Sequence, residues 1–426
     1  MTIPMMIALA ITIFMVILIM RDTVPFGAAP LLACLLMVVF QVTDIKTAFG
    51  GFSNSSIIML ASFMAIIASL QKTSFISAFK NAIFKLAGIG GFKAYVLLII
   101  IVMLGCSAFG TGSTAYYVLV IGLLSNLPET DKFPPSKILA PAGFAANHPL
   151  IPLNTALQLG YVIQVLQAAG ADSTISTVRF AMVNLFLSLG FLLNCIIQYK
   201  FLPTHPIAKP EKSASELIVE SQLPKWKEKV TYFCFALSVF GMIIDGKLGQ
   251  PGTGYVIPGI AVAILLFTGV LDFKEIREAI SQPIIIMSAS VIGIADALGS
   301  TGLTTLVGET VAGMLGSNVN AFVLVFVFCI LTSVLATLTG STIGTVLIFA
   351  PMAIATCMSL GMDPTAAAVA IVISGWCGHF LPIDGMPALV MGVGDYSIME
   401  FWKFTIPQYF IRLLALTIGA LLMFPV

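Results

Sequence analysis

The chain has 426 residues and a net charge of +1; 59% of the residues are apolar and 9% are charged. A soluble domain carries roughly 45–50% apolar and about 25% charged residues. This composition therefore excludes a soluble enzyme, a secreted disulfide scaffold, a disordered chain and a nucleic-acid binder. Mostly apolar stretches of about 20 residues, the length a bilayer crossing needs, recur throughout and predict an all-α polytopic membrane protein.

In chain order, the apolar run at 3–20 has no basic residue before it and reads as a retained span, not a cleavable leader. Runs at 25–41 and 52–71 follow, then a basic loop with Lys72, Lys80, Lys85 and Lys93. The next two runs, 94–109 and 113–127, are too short to be comfortable as separate spans. They flank Thr111-Gly112-Ser113-Thr114 and predict a helical hairpin, 94–127. After Lys132 and Lys137, the run 138–166 is interrupted by Asn147-His148-Pro149-Leu150-Ile151-Pro152-Leu153-Asn154-Thr155. Two closely spaced prolines break a helix, so this run predicts a discontinuous one. The first half closes with 178–202. A polar linker, 204–229, then carries five lysines and four glutamates; it reads as solvated and in part amphipathic helix, and its lysines place it in the cytoplasm by the positive-inside rule.

The second half repeats the order: runs at 230–245, 254–271 and 281–299, a hairpin at 319–360 turning at Thr339-Gly340-Ser341-Thr342, and a final run at 404–426. Between hairpin and final run lies 364–394, broken by His379-Phe380-Leu381-Pro382-Ile383-Asp384-Gly385-Met386-Pro387. Pro30, Asp44, Lys46, Ser53 and Thr111 each recur 228 residues later, as Pro258, Asp272, Lys274, Ser281 and Thr339. No Lys or Arg lies between Glu278 and Trp402, so the second hairpin opens outward where the first opens inward. Opposed loop charge around equivalent segments predicts two inverted-topology repeats, 1–203 and 230–426, with five crossings each. Both termini are then external.

The chemistry concentrates at the tips and breaks. Ser113, Thr114, Ser341 and Thr342 open helices, whose free N–H groups and positive dipole ends suit a carboxylate. The oxygens of Thr111, Gly112, Thr339 and Gly340 on the other side of each turn suit a small hard cation, and Asn154 and Asp384 add ligands from the breaks. An ionisable group inside a membrane segment is expensive and reads as functional, so Asp384 is open to two readings, a cation ligand or proton acceptor and a hydrogen-bonded structural residue at the break. His148 and His379 are open to three readings: an anion contact, a proton carrier or a packed ring. Asp296 reads as a structural partner. Since no Lys or Arg is near either tip in sequence, hydroxyls, helix ends and bound cations are expected to hold the anion. The seven cysteines form no CxxC pair, lie in apolar runs and read as small packed hydrophobes, with no metal implied beyond Na⁺.

These residues make the chain resemble the divalent anion/sodium symporter family. The resemblance rests on Phe52-Ser53-Asn54-Ser55 opening a helix that ends at Lys72-Thr73, on the two tips, and on the stretch from Leu381-Pro382 to Leu389-Val390. That family carries Ser-Asn-Thr at each tip. Gly112-Ser113-Thr114 and Gly340-Ser341-Thr342 take those places, and Pro387 takes a proline of the second break, while Ala388 stands where the family has asparagine. The resemblance implies secondary active transport of a di- or tricarboxylate coupled to Na⁺ (or H⁺), by an elevator movement within a homodimer in the inner membrane. No organic cofactor is implied. The large membrane subunit of a binding-protein-dependent (TRAP-type) transporter is the alternative, and an intramembrane enzyme would need a catalytic cluster that three histidines and scattered carboxylates do not offer.

Overall fold

The computed structural model describes residues 1–21, 28–125, 127, 134–205, 207, 223–244, 253–281, 283–303, 306, 310, 320–339, 342–382 and 385–425. Among them the regular structure is helical. The first half contains α1 (Ile3–Arg21), α2 (Ala28–Val39), α3 (Ile45–Ala48), α4 (Ser55–Leu70), α5 (Phe75–Ile89), α6 (Gly91–Phe109), α7 (Thr114–Ser125), α8 (Pro135–Ala145), α9 (Ala156–Ala168) and α10 (Thr177–Gln198). The second contains α11 (Lys225–Ile243), α12 (Ile257–Phe267), α13 (Phe273–Ile280), α14 (Pro283–Thr301), α15 (Ala321–Thr339), α16 (Thr342–Ser359), α17 (Thr365–Ser374), α18 (Gly385–Gly394) and α19 (Ile398–Met423). Shifted by the sequence offset, α6, α7, α8 and α9 fall on α15, α16, α17 and α18 to within a few residues at their starts. Asp44 and Asp272, equivalent in the repeat, both cap the short helices that follow, accepting from Thr47 N (2.7 Å) and Glu275 N (2.7 Å).

Five described helices are long and apolar enough to cross a membrane: α6, α10, α15 over 321–338, α16 and α19. Of the hairpin arms, α6 is longer than its apolar run suggested. At about 1.5 Å per residue, the 19 residues of α6 and of α15 reach about 28 Å. The apolar count missed the start of α6, where Gly91, Phe92 and Lys93 already belong to the helix.

A further expectation is corrected. The basic loop after the third run is a helix, α5, bent by 65° from α4. It buries Ile76, Phe79, Ile83 and Ala87, the three-to-four-residue spacing of one helix face. The end of the linker is also helical: Lys225, Lys227, Glu228 and Lys229 form the first turns of α11 after Pro224, where long cationic side chains reach water from an apolar stem. A small polar lock joins these corners. Glu228 accepts from Ser74 N (2.8 Å), Lys227 donates to Gly269 O (2.6 Å), and Lys72 pairs with Glu275.

Packing in the interior sets up the site. The two interrupted helices lie alongside each other with halves exchanged, α8 against α18 and α9 against α17. An N-terminal half paired with a C-terminal half at both ends means that they run antiparallel past their interruptions. Helix α10 lies antiparallel along α19, since Gly190 faces Ala415 while Gly419 faces Phe186. The small residues allow this approach: a Cβ on Gly190 would come 2.8 Å from Ala415 Cβ.

Candidate functional site

The first tip is built by two glycines in the left-handed region, Gly110 (φ 84°) and Gly112 (φ 82°), which turn the chain out of α6 and back into α7. Ser113 precedes α7, and its carbonyl accepts from Tyr116 N and Tyr117 N, both at 3.1 Å. The first-turn N–H groups of α7 thus begin at this tip. Gly112 N donates to Asn147 Oδ1 at 2.6 Å, tying the tip to the first break.

That break is held by the end of α6. Leu150 N donates to Met103 O (3.3 Å), Ile151 N to Ser107 Oγ (3.0 Å) and Asn154 N to Ser107 O (3.3 Å). Asn154 Nδ2 donates to Ala108 O (3.3 Å) and Phe109 O (3.4 Å), two carbonyls that the helix end leaves without helical partners. Non-helical backbone inside an apolar slab is tolerated only where the protein supplies such partners. Asn154 thereby lies at the first tip with its amide nitrogen engaged.

The second half repeats the device. Trp376 N and Cys377 N close α17 in tight turns onto Ile373 O and Ser374 O. Thr337 Oγ1 of α15 donates to Gly378 O, and Trp402 Nε1 donates to Phe380 O (2.9 Å). Gly378 has no room for a side chain, because a Cβ there would overlap Thr337 Oγ1 and the Ser333 carbonyl. Thr342, Pro387, Thr337, Gly375, Gly378 and His379 line a cleft between this break and the second hairpin, with Ala336 and Leu381. Asp296 of α14 does not line it.

Both tips converge on one turn. A Cβ on Gly112 would lie 3.1 Å from Trp376 Nε1, and one on Gly375 would lie 3.1 Å from Thr342 Cγ2. Of the residues chosen from sequence, Thr111, Gly112, Ser113 and Asn154 come together at the first tip, and Thr342 and Pro387 at the cleft. Gly340, Ser341 and Asp384 lie outside the described residues, as do the side chains of Thr114 and Thr339.

The two histidines sit on the two breaks. His148 Nδ1 pairs with Phe144 O at 2.7 Å and its ring stacks on Phe191, centroids 3.9 Å apart. The Phe144 ring in turn stacks on His379 at 5.7 Å, so Phe144 touches one histidine through its carbonyl and the other through its ring. The expectation that no guanidinium stands near the tips is overturned. Arg412 of α19 is buried and donates to Trp376 O (3.0 Å) and Cys377 O (3.3 Å), in the turn where the tips meet. It was missed because it lies 36 residues beyond Trp376 in the chain. Yet a lone arginine within the apolar run 404–426 is the same signal that singled out Asp384. Asn147 and Trp376 also escaped notice, being uncharged residues in apolar surroundings.

Residues 13–373 match the sequence profile of the citrate transporter family. The chain belongs to that family. It is a membrane protein of a transporter family, not of an enzyme family. It is 24% identical over 219 residues to the uncharacterized transporter YfbS of Escherichia coli (strain K12), a match covering 51% of this chain and 34% of that protein. The chain thus spans about a third of the length of that curated relative. Its fold is similar to the YdaH transporter of Alcanivorax borkumensis (TM-score 0.59, 16% identity, 99% of this chain and 98% of that one). It is likewise similar to MtrF of Neisseria gonorrhoeae, a structure described as illuminating a class of antimetabolite efflux pumps (TM-score 0.60, 14% identity, 99% and 94%). At these identities the likeness is one of fold.

Proposed function

We propose that the protein is a secondary active transporter of a small carboxylate anion, a di- or tricarboxylate, coupled to Na⁺ or H⁺. The observation that carries this reading is the meeting of both hairpin tips with the second break at Gly375 and Trp376. Helix starts and hydroxyls there suit carboxylate oxygens, and the amide oxygen of Asn154 with the carbonyls of the first tip suits a cation. Anion and cation bound side by side strengthen each other's binding, and that reciprocal linkage is coupling.

The halves are read as inverted repeats, with the N- and C-termini external and the linker 204–229 cytoplasmic in the inner membrane. The exchanged pairing of the interrupted helices supports that reading, because antiparallel equivalents are what inversion produces. Hairpins and broken helices move as one body against a scaffold that dimerises, in the manner of an elevator, as in the divalent anion/sodium symporter type of carrier.

Reconstitution of the purified chain into liposomes tests this. Labelled citrate or succinate should accumulate under an imposed Na⁺ or proton gradient and not without one. Absence of flux of either anion under both gradients would refute the assignment. Flux appearing only with an added soluble binding protein would favour the binding-protein-dependent alternative.

A further inference from the structure

Arg412 has 1% of its surface exposed, and every acceptor it meets is neutral. Besides the carbonyls of Trp376 and Cys377, its Nη1 lies 3.5 Å from His379 Nδ1, while Nε has no partner. Among the described residues no carboxylate pairs with it. A guanidinium stays protonated in proteins, and a buried charge without a counter-charge is costly. The carbonyl end of α17 offsets part of that cost, as helix C-termini do for cations. The remainder is a positive charge fixed inside the protein, directly behind the turn on which both tips converge.

His379 links this charge to the cleft it lines. A neutral imidazole that faces a donor with Nδ1 carries its proton on Nε2. The nitrogen left for a ligand is therefore an N–H donor, polarised by the guanidinium behind it. His148, from the opposite break, has its own Nε2 buried without a partner.

We propose that Arg412 is the fixed counter-charge for the transported carboxylate, acting by its own field and through the Nε2–H of His379. This rests on the reading of the cargo as an anion and adds what selects it: affinity grows with the negative charge of the ligand. Pinning the Trp376 and Cys377 carbonyls in the turn after α17 is the second job of the same side chain, and the two separate experimentally. A purely structural role weakens all ligands alike, whereas a lost counter-charge weakens them in proportion to their charge.

The experiment measures stabilisation of the full chain against heat in detergent by citrate, succinate and monomethyl succinate, since a ligand that binds only the folded state raises its unfolding temperature. Arg412→Gln should raise the half-saturating citrate concentration about thirtyfold or more, the scale of losing one partner of a buried charge pair. Monomethyl succinate should shift far less, so that the ranking by charge collapses. Arg412→Lys, which keeps the charge, should keep the ranking. An equal loss for all three ligands, or none, in Arg412→Gln would overturn the proposal. If that variant does not fold, His379→Ala decides: citrate half-saturation must rise severalfold, and an unchanged value overturns it. A wild-type protein stabilised by none of the three would instead remove the anion reading itself, and this proposal with it.

Discussion

Replacing Asn147 by alanine removes the acceptor that holds the first tip against the first break. The bond it makes with Gly112 N is 2.6 Å long, and nothing else at Asn147's position can replace that oxygen once the side chain is cut to a methyl group. An N–H left unpaired away from water costs about 1–3 kcal/mol, and each 1.36 kcal/mol is tenfold in an equilibrium. The ordered tip should therefore become between about fivefold and 150-fold less favoured. Since a ligand that needs that state binds in proportion to its population, the half-saturating citrate concentration for uptake into proteoliposomes should rise within the same range. Asn147→Asp, which keeps an oxygen in place, should lose less than Asn147→Ala. Full expression and normal uptake by Asn147→Ala, with half-saturation within about twofold of wild type, would show that this bond does not organise the tip.

Gly378→Ala should lower thermal stability by at least the ~1–3 kcal/mol of an overpacked core, because the new methyl group overlaps a backbone carbonyl of α15 that cannot swing aside; an unfolding temperature equal to wild type would contradict the packing. Ser113→Ala and Ser341→Ala should each abolish or greatly weaken uptake while leaving the unfolding temperature unchanged. Asp384→Asn should change the cation or pH dependence of uptake, and an identical dependence removes Asp384 from the mechanism. The Thr47 backbone N–H holds the Asp44 carboxyl below its usual range. That stabilisation is present above the unfolded value near 3.9 and is lost as acid protonates the folded carboxylate. Thermal unfolding of Asp44→Ala should consequently fall below wild type at neutral pH and approach it in strong acid, and a gap that widened in acid would reverse the sign of this argument.

Much of the architecture could be read from residue order because the bilayer imposes it. Pro149 with Pro152 and Pro382 with Pro387 marked the two breaks, which fall between α8 and α9 and between α17 and α18. The helix α5 was hidden by its lysines, which drew the eye to loop charge although Ile76, Phe79, Ile83 and Ala87 keep a helical spacing. The candidate site was half legible. Glycines and hydroxyls announced the turns through local geometry, and Gly112, Ser113 and Thr342 lie at those turns. What could not be read locally was which distant groups close the site. The bond from Gly112 to Asn147 spans 35 residues and the bond from Arg412 to Trp376 spans 36, and both depend on how helices stack rather than on spacing along one of them.

The swapped leaning of α8 on α18 and α9 on α17 has a genetic corollary. Each of these contacts takes one helix from 1–203 and one from 230–426. A message cut between codons 208 and 222 and expressed as two polypeptides should regain uptake when both fragments are made together, and show none when either is made alone.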